Sequence, residues 1–396
     1  MRKLILLVAF SISGGLPLFP RDLVLVVLIL LCLAHCGWRP EFRRDSWKVY
    51  LFLLAFVAVS LIRPGEIRIE SIVSRLLHFG AAVLLLQIYL RDSYGRFIDD
   101  FAAILRWMSI QAIATVILAA IAPGLFSEVT IGEQTYMTLL YVFNFHSETE
   151  ALGGLVRPDG FFFEPGVFQI YLNLYLYIAL HMMRNMKASA LALVAVVATQ
   201  STTGILISLI LMGAALVRAF REHKGKRRIL AVALAVLIAP PLAWVSYANI
   251  NEKFYGSGQG SSWARAYDFY TGLNIIAAYP ALGIGFDVDR YLQASSKLGY
   301  ASELTIEQEE ERTTSNGLLQ MFFTIGIPLG GVLLLCIFYQ RLFPHRWLIA
   351  PLLLMSFSGE ALVFTPFFTF ILFSALVNEP RRSMAPLRLE QAPAHD

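Results

Sequence analysis

Arg157 and Glu164 stand seven residues apart in the stretch Arg157-Pro-Asp-Gly160-Phe-Phe-Phe-Glu164-Pro165-Gly166, which opens directly into the apolar run Val167 to Met183. A guanidinium keeps its charge and can grip a phosphate through two parallel N–H donors. A carboxylate beside it can accept the proton of an attacking hydroxyl. Gly160 between them allows the connection to fold back, so that both side chains reach one mouth of a hydrophobic segment. Charges at such a border are costly unless they have partners or a task. The stretch is therefore a candidate site for chemistry on a lipid-linked substrate. Each residue also has a plainer reading. Glu164 before Pro165 suits a helix N-cap facing the positive end of the dipole, and Arg157 suits an arginine that snorkels to lipid phosphate.

A second cluster follows in Trp263-Ala-Arg265-Ala-Tyr267-Asp268 and Tyr279-Pro280-Ala-Leu-Gly283-Ile-Gly285-Phe286-Asp287. Arg265 is placed to pair with Arg157 across a pyrophosphate, the alternative being a helical salt bridge to Asp268 three residues on. Trp263, Tyr267 and Phe161 to Phe163 offer flat faces for sugars or prenyl chains, although aromatic residues are common at membrane interfaces in any case. The two glycines are not a dinucleotide fingerprint, because no strand precedes them and the third glycine is missing.

These residues need a scaffold, and the composition says which kind. With 57% hydrophobic and 15% charged residues in 396, the chain is an integral membrane protein rather than a set of soluble domains. We expect a single all-α polytopic domain over 1–396 with about twelve spans: Leu4–Leu18, Leu23–Cys36, Trp47–Ile62, Ile72–Leu90, Phe97–Ile121, Phe163–Met183, Lys187–Thr199, Thr203–Phe220, Leu230–Tyr247, Asn316–Tyr339, Trp347–Phe357 and Ala361–Val377. Basic clusters at Arg39–Lys48, Arg218–Arg228 and the C-terminal tail place those segments in the cytoplasm. Two long connections fall on the opposite face. Residues 123–162 carry five acids against Arg157 alone, and 249–315 carry nine acids against five bases. Loops of that length are usually functional or disordered. Neither looks disordered, the first holding Tyr136, Tyr141, Phe143 and Phe145, and the second a helical pattern at Ser262–Ala278 that has its own plain reading as a helix lying on the bilayer.

Other chemistries find little support. The three cysteines lie in apolar runs and read as packing residues. Glu307, Glu309, Glu310 and Glu311 have no nearby histidine and read as a solvated acidic face, so no metal and no cofactor is expected. There is no Walker loop, no Ser-His-Asp set and no nucleic-acid partner to expect.

The order Arg157-x-x-Gly160, Phe163-Glu164-Pro165, Arg265, Tyr279-Pro280-x-x-Gly283-x-Gly285-Phe286 and Thr314-Ser315-Asn316-Gly317 resembles the O-antigen polymerase/ligase superfamily of bacterial membrane glycosyltransferases. The resemblance implies a GT-C-like helical fold in the bacterial inner membrane, with an extracytoplasmic active site. It implies an undecaprenyl-pyrophosphate-linked oligosaccharide as substrate, membrane lipid as surroundings, and a chain-length regulator and a flippase as companions. By the same resemblance Arg157 and Arg265 hold the donor pyrophosphate, Glu164 orients or deprotonates the acceptor hydroxyl, and Gly160, Trp263, Tyr267 and Asn316 belong to the substrate site. Ligases typically carry His-Asn where this chain has Ser315-Asn316, and that departure favours a polymerase. A ligase that moves glycan onto lipid A-core or protein is the alternative enzyme. A flippase or transporter is the alternative of another class, although such proteins usually place charges mid-span and repeat their halves.

Overall fold

Runs of Leu, Val, Ile, Ala and Phe with scarcely a charge fold as helices, because in hydrocarbon every backbone polar group must be satisfied within its own segment. The computed structural model describes residues 1–15, 20–38, 46–64, 68–92, 94–131, 134–146, 154–222, 240, 244, 247–248, 251, 259–297 and 314–377, with side chains except at 91–92, 94, 259–264 and 297. The helices are α1 (Arg2–Ile12), α2 (Arg21–His35), α3 (Trp47–Ile62), α4 (Ile69–Asp92), α5 (Tyr94–Ile121), α6 (Pro165–Tyr177, continued by a π-turn to Met183), α7 (Met186–Ala198) and α8 (Thr202–Glu222). After these come α9 (Gln259–Ala278), α10 (Val288–Lys297), α11 (Gly317–Tyr339), α12 (Arg346–Gly359) and α13 (Pro366–Phe373). Among the described residues five helices are long and apolar enough to cross a membrane, and four apolar ones are shorter. The chain is a polytopic membrane protein.

Two expectations change. The chain is not all-α, since residues 127–146 form a three-stranded antiparallel sheet of β1 (Ser127–Ile131), β2 (Gln134–Leu139) and β3 (Phe143–His146) in the order β1-β2-β3. Alternating Thr, Val, Ile, Tyr and Phe in this loop favour paired strands over helix. Several spans also differ in extent: the first apolar run ends as a helix at Ile12, and the last is a helix only from Pro366. The expected span Leu230–Tyr247 and the acidic group Glu307–Glu311 lie outside the described residues, apart from positions 240, 244 and 247.

The centre of the bundle is α6, buried on nearly all sides. Its Tyr171 ring lies 4.9 Å from Phe10 of α1, 4.7 Å from Phe162 and 5.6 Å from Phe367 of α13, distances favourable for aromatic pairs. Contacts between helix ends sort the molecule into two faces. On one, Phe163 N–H donates to Gly14 O (2.9 Å), Ser13 Oγ to Thr365 Oγ1 (2.9 Å) and Arg157 Nε to Thr199 O (3.1 Å). That gathers the ends of α1 and α7 and the starts of α6 and α13. On the other, Arg2 pairs with Asp100, Arg184 with Glu222, and the Tyr177 hydroxyl with His345. The described parts of the two long loops, the sheet with 154–164 and the turn after α9, lie toward the first face.

One helix is interrupted to receive a loop. Gly326 in α11 has φ 78° and ψ 164°, a non-helical state that suits glycine, and a side chain there would strike the Ala281 carbonyl. The turn after α9 fills the break: Ile327 N–H donates to Pro280 O (2.7 Å), Ile284 N–H to Phe323 O (2.7 Å) and Gly285 N–H to Thr324 O (3.0 Å). Arg63, at the end of α3, then ties the insertion down. Its Nη2 donates to Leu282 O (2.8 Å) and Thr324 O (2.9 Å), and its Nε to Gly283 O (3.1 Å). The Tyr279-Pro280-x-x-Gly283-x-Gly285 pattern is thus a docking turn, with Gly283 and Gly285 both at positive φ.

Candidate active site

The segment from Arg157 to Glu164 is held by the small sheet. Phe145 bridges Pro158, Asp159 N–H donates to Asn144 O (2.8 Å), and Asn144 Nδ2 donates to Gly160 O (2.7 Å). Gly160 has φ 65°, and a Cβ there would press within 2.8 Å of the Phe168 ring, so this turn needs glycine on two counts. Arg157 is half-buried. Its Nε is tied to Thr199 O, while its two terminal nitrogens make no hydrogen bond among the described residues. Burial lowers its pKa, Asp159 and Glu164 oppose that shift, and Arg265 adds to it. The three residues singled out in the sequence thus share one electrostatic neighbourhood.

Glu164 occupies the N-cap position with extended backbone (φ −156°, ψ 156°) and Pro165 at the first helical position, yet its side chain accepts no cap hydrogen bond. The purely structural reading of Glu164 as a side-chain cap is corrected accordingly. A second carboxylate was not singled out from the sequence. Glu360 is buried at the end of α12, and a Cβ built on Gly166 would stand 2.6 Å from Glu360 Oε1 and 3.2 Å from Glu164 Oε1. Gly166 is therefore the space into which both acids reach. Its available signal was an isolated acid between two apolar runs, Trp347–Phe357 and Ala361–Val377.

On the second loop, Arg265 is exposed on α9 and has no hydrogen bond or ion pair among the described residues. The alternative salt bridge to Asp268 is replaced by another contact: buried Asp268 Oδ2 accepts from Ser315 N–H (2.8 Å) and Ser315 Oγ (2.6 Å). Asn316 caps α11, its Oδ1 accepting from Leu319 N–H at 3.0 Å. Asn316 is thus a cap by contact, at the helix start whose Gly317 packs on the Glu360 carbonyl. Tyr267 is half-buried and Trp263 lies on α9 with its side chain outside the described set. The α9 residues Phe269, Tyr270 and Leu273 face outward. An open-sided cavity lies apart from this constellation, between α3, α4 and the docking turn, lined by Arg63, Arg68, Phe286, Asp287 and Arg290. Its arginines are committed to holding that turn, so the chemistry is better sought at Arg157.

Comparison with known proteins sets this arrangement in a class. Residues 188–336 match the family model described as O-antigen ligase, which bears out the resemblance to the O-antigen polymerase/ligase superfamily. The match runs from α7 to α11 and so includes Arg265, the docking turn and Asn316, while Arg157 and Glu164 precede it. No curated protein and no solved structure matches the chain. Over residues 188–336 the chain is similar to that family, and its long apolar helices are those of a membrane protein.

Proposed function

We propose that the protein is a polymerase of a surface polysaccharide, with a GT-C-like arrangement of helices, working at the extracytoplasmic face of a bacterial inner membrane. It transfers a growing glycan from undecaprenyl pyrophosphate to a lipid-linked repeat unit. The observation that carries this reading is the placement, on the one segment 157–164, of an Arg157 whose terminal nitrogens make no hydrogen bond among the described residues and a Glu164 carboxylate that makes no cap bond. In the reaction the acceptor hydroxyl loses its proton to Glu164 and its oxygen bonds the donor's anomeric carbon. The bond from that carbon to the pyrophosphate oxygen breaks, and undecaprenyl pyrophosphate departs. Arg157 and Arg265 stabilise the departing charge, a role worth most where water is excluded. Membrane lipid surrounds the site, with a chain-length regulator and a flippase as partners.

The ligase reading has one finding in its favour, the description of the matching family. The polymerase reading rests on Ser315 standing where ligases carry histidine, its hydroxyl and N–H both bound to Asp268. Purified protein in lipid nanodiscs, given a synthetic undecaprenyl-pyrophosphate repeat unit alone, decides between them. Lipid-linked dimers and longer products are expected. Transfer only when lipid A-core is added overturns polymerase in favour of ligase, and no product under either condition overturns both.

A further inference from the structure

The tip of the hairpin between β2 and β3 carries side chains that neither its backbone nor a place in water favours. Leu140 and Tyr141 both have φ 55°, a left-handed conformation that suits Gly, Asn or Asp and strains a bulky residue. Both are also uncovered, Leu140 being 77% and Tyr141 56% exposed. Strained, large and apolar residues at an open turn point to a contact made outside the chain.

The direction of the hairpin says where that contact lies. Phe145 packs with Ala119 and Leu118 near the end of α5, whereas Val142 in the tip accepts a hydrogen bond from Gln111 Nε2, two turns nearer the helix start. The hairpin therefore runs back along α5, and its tip points away from that helix's end. Helix α5 is long and apolar enough to cross a membrane over Gly95–Ile121. Its Trp107, Ile110, Ile117 and Ile121 are exposed on one face, the stripe that a spanning helix turns to acyl chains. Leu140 and Tyr141 stand beside this stripe and extend it. The tip's carbonyls are also provided for: Leu139 O accepts from Val142 N–H (3.2 Å), Tyr141 O from Asn144 Nδ2 (3.2 Å) and Val142 O from Gln111. Bare carbonyls would keep a turn out of an apolar layer, and these three are satisfied within the protein.

We propose that Leu140 and Tyr141 are a membrane anchor, entering the bilayer beside α5, where the acyl chains that face the α5 stripe cover them. The anchor is joined to the segment that bears Arg157 and Glu164. Asn144, which holds Tyr141 O, also donates to Gly160 O (2.7 Å), and the Phe161 ring stacks on Trp107 at 5.4 Å and 17°. The segment is thus clasped between the tip and the span, and the bilayer sets its height. The anchor needs no substrate, so it stands or falls apart from the transfer reaction proposed above.

The test is the accessibility of a nitroxide label at Leu140→Cys, in the full chain with Cys32, Cys36 and Cys336 replaced by alanine, held in nanodiscs of phosphatidylcholine alone. Oxygen concentrates among acyl chains and a neutral nickel chelate in water. The label at 140 should be relaxed more by oxygen than by nickel. A label at Thr130→Cys, exposed at the far end of the sheet, should show the inverted ratio. Nickel prevailing at 140 overturns the anchor, since the tip then faces water. A label hidden from both reagents overturns it as well, because protein then covers the tip. Contact with oxygen only after undecaprenyl phosphate is added makes the occupant a prenyl chain and overturns the assignment to bulk lipid. Should the cysteine-free chain fail to fold, a benzophenone amino acid at 140 in the otherwise native chain decides. Photocrosslinking to phosphatidylcholine supports the anchor, and crosslinking to a second copy of the chain or to no lipid overturns it.

Discussion

The two faces of the bundle treat their charges in opposite ways. On the face away from the long loops, Arg2 meets Asp100 at 2.9 Å, Arg184 meets Glu222 at 3.2 Å, and Arg218 reaches His181 at 3.1 Å and the Leu180 carbonyl at 2.7 Å. Each of these three cations has a partner. On the loop face the backbone is fastened by Asn144, Arg63 and Asp268, yet among the described residues the terminal nitrogens of Arg157 and the whole of Arg265 have no hydrogen bond or ion pair. Cations without such partners, set near carboxylates, are candidates for holding a ligand. On the reading proposed above, the contrast separates charges that stabilise from charges that act.

The largest effects should come from removing the reserved cations. Arg157→Ala and Arg265→Ala should each lower kcat/KM for glycan transfer by at least about 10²–10³-fold, the loss typical of deleting a donor to a developing anion. Detergent-extracted yield and melting temperature should stay near those of wild type. Lys in either place should restore only part of the rate, because it keeps the charge without the planar fork. Equal loss of folding and of activity would place these arginines with the stabilising charges instead.

Glu164→Gln is the next test. The side chain makes no cap bond, so the amide should leave the helix start intact while transfer falls by about 10²-fold or more, as for loss of a general base. Normal glycan length at normal expression would leave the reaction without its base. Glu360 then becomes the acid to replace, since it reaches the same space at Gly166.

The sequence showed these three residues more readily than it showed their setting. Arg157, Glu164 and Arg265 stand out because charges are rare at the ends of apolar runs. The long helices were equally legible from hydropathy, as at Gly317–Tyr339. The break at Gly326 was not, because Phe323-Thr-Ile-Gly326-Ile-Pro328 reads as the interior of one span until the docking turn supplies hydrogen-bond partners from 40 residues earlier. The sheet was missed for a related reason. Its aromatic residues announced an ordered loop, but pairing such as Tyr136 with His146 is a tertiary fact. Glu360 escaped notice because one acid between two spans looks like any connecting residue, and only the approach to Gly166 gives it meaning.

A moderate effect is expected from pH on the stability of the loop face. The folded-state pKa of Asp159 is raised above the ordinary carboxylate value of 3.8 to about 7, so the folded protein holds a proton that the unfolded chain releases. The stabilisation is complete below about 4 and is lost as pH climbs through 7, a change of up to about 4 kcal/mol across that window. The melting temperature in detergent should therefore decline between pH 5 and pH 8, and Asp159→Asn should flatten that decline. A wild-type slope that persists in the variant would assign it to other groups.

The smallest effect belongs to the opposite face, and its smallness is what the comparison requires. Arg184 and Glu222 approach at 3.2 Å with side chains 60% and 40% exposed. An exposed pair gains little Coulomb energy in a high dielectric and must fix two long side chains, so it contributes roughly 0–1 kcal/mol. Arg184→Gln should accordingly shift the melting temperature by a few degrees at most and leave the rate of glycan transfer and the product length unchanged. The same change in charge made at Arg157 should stop the reaction. A tenfold fall in transfer by Arg184→Gln, with the protein folded, would mean that charge on this face also acts on substrate, and the division of labour drawn between the two faces would fail.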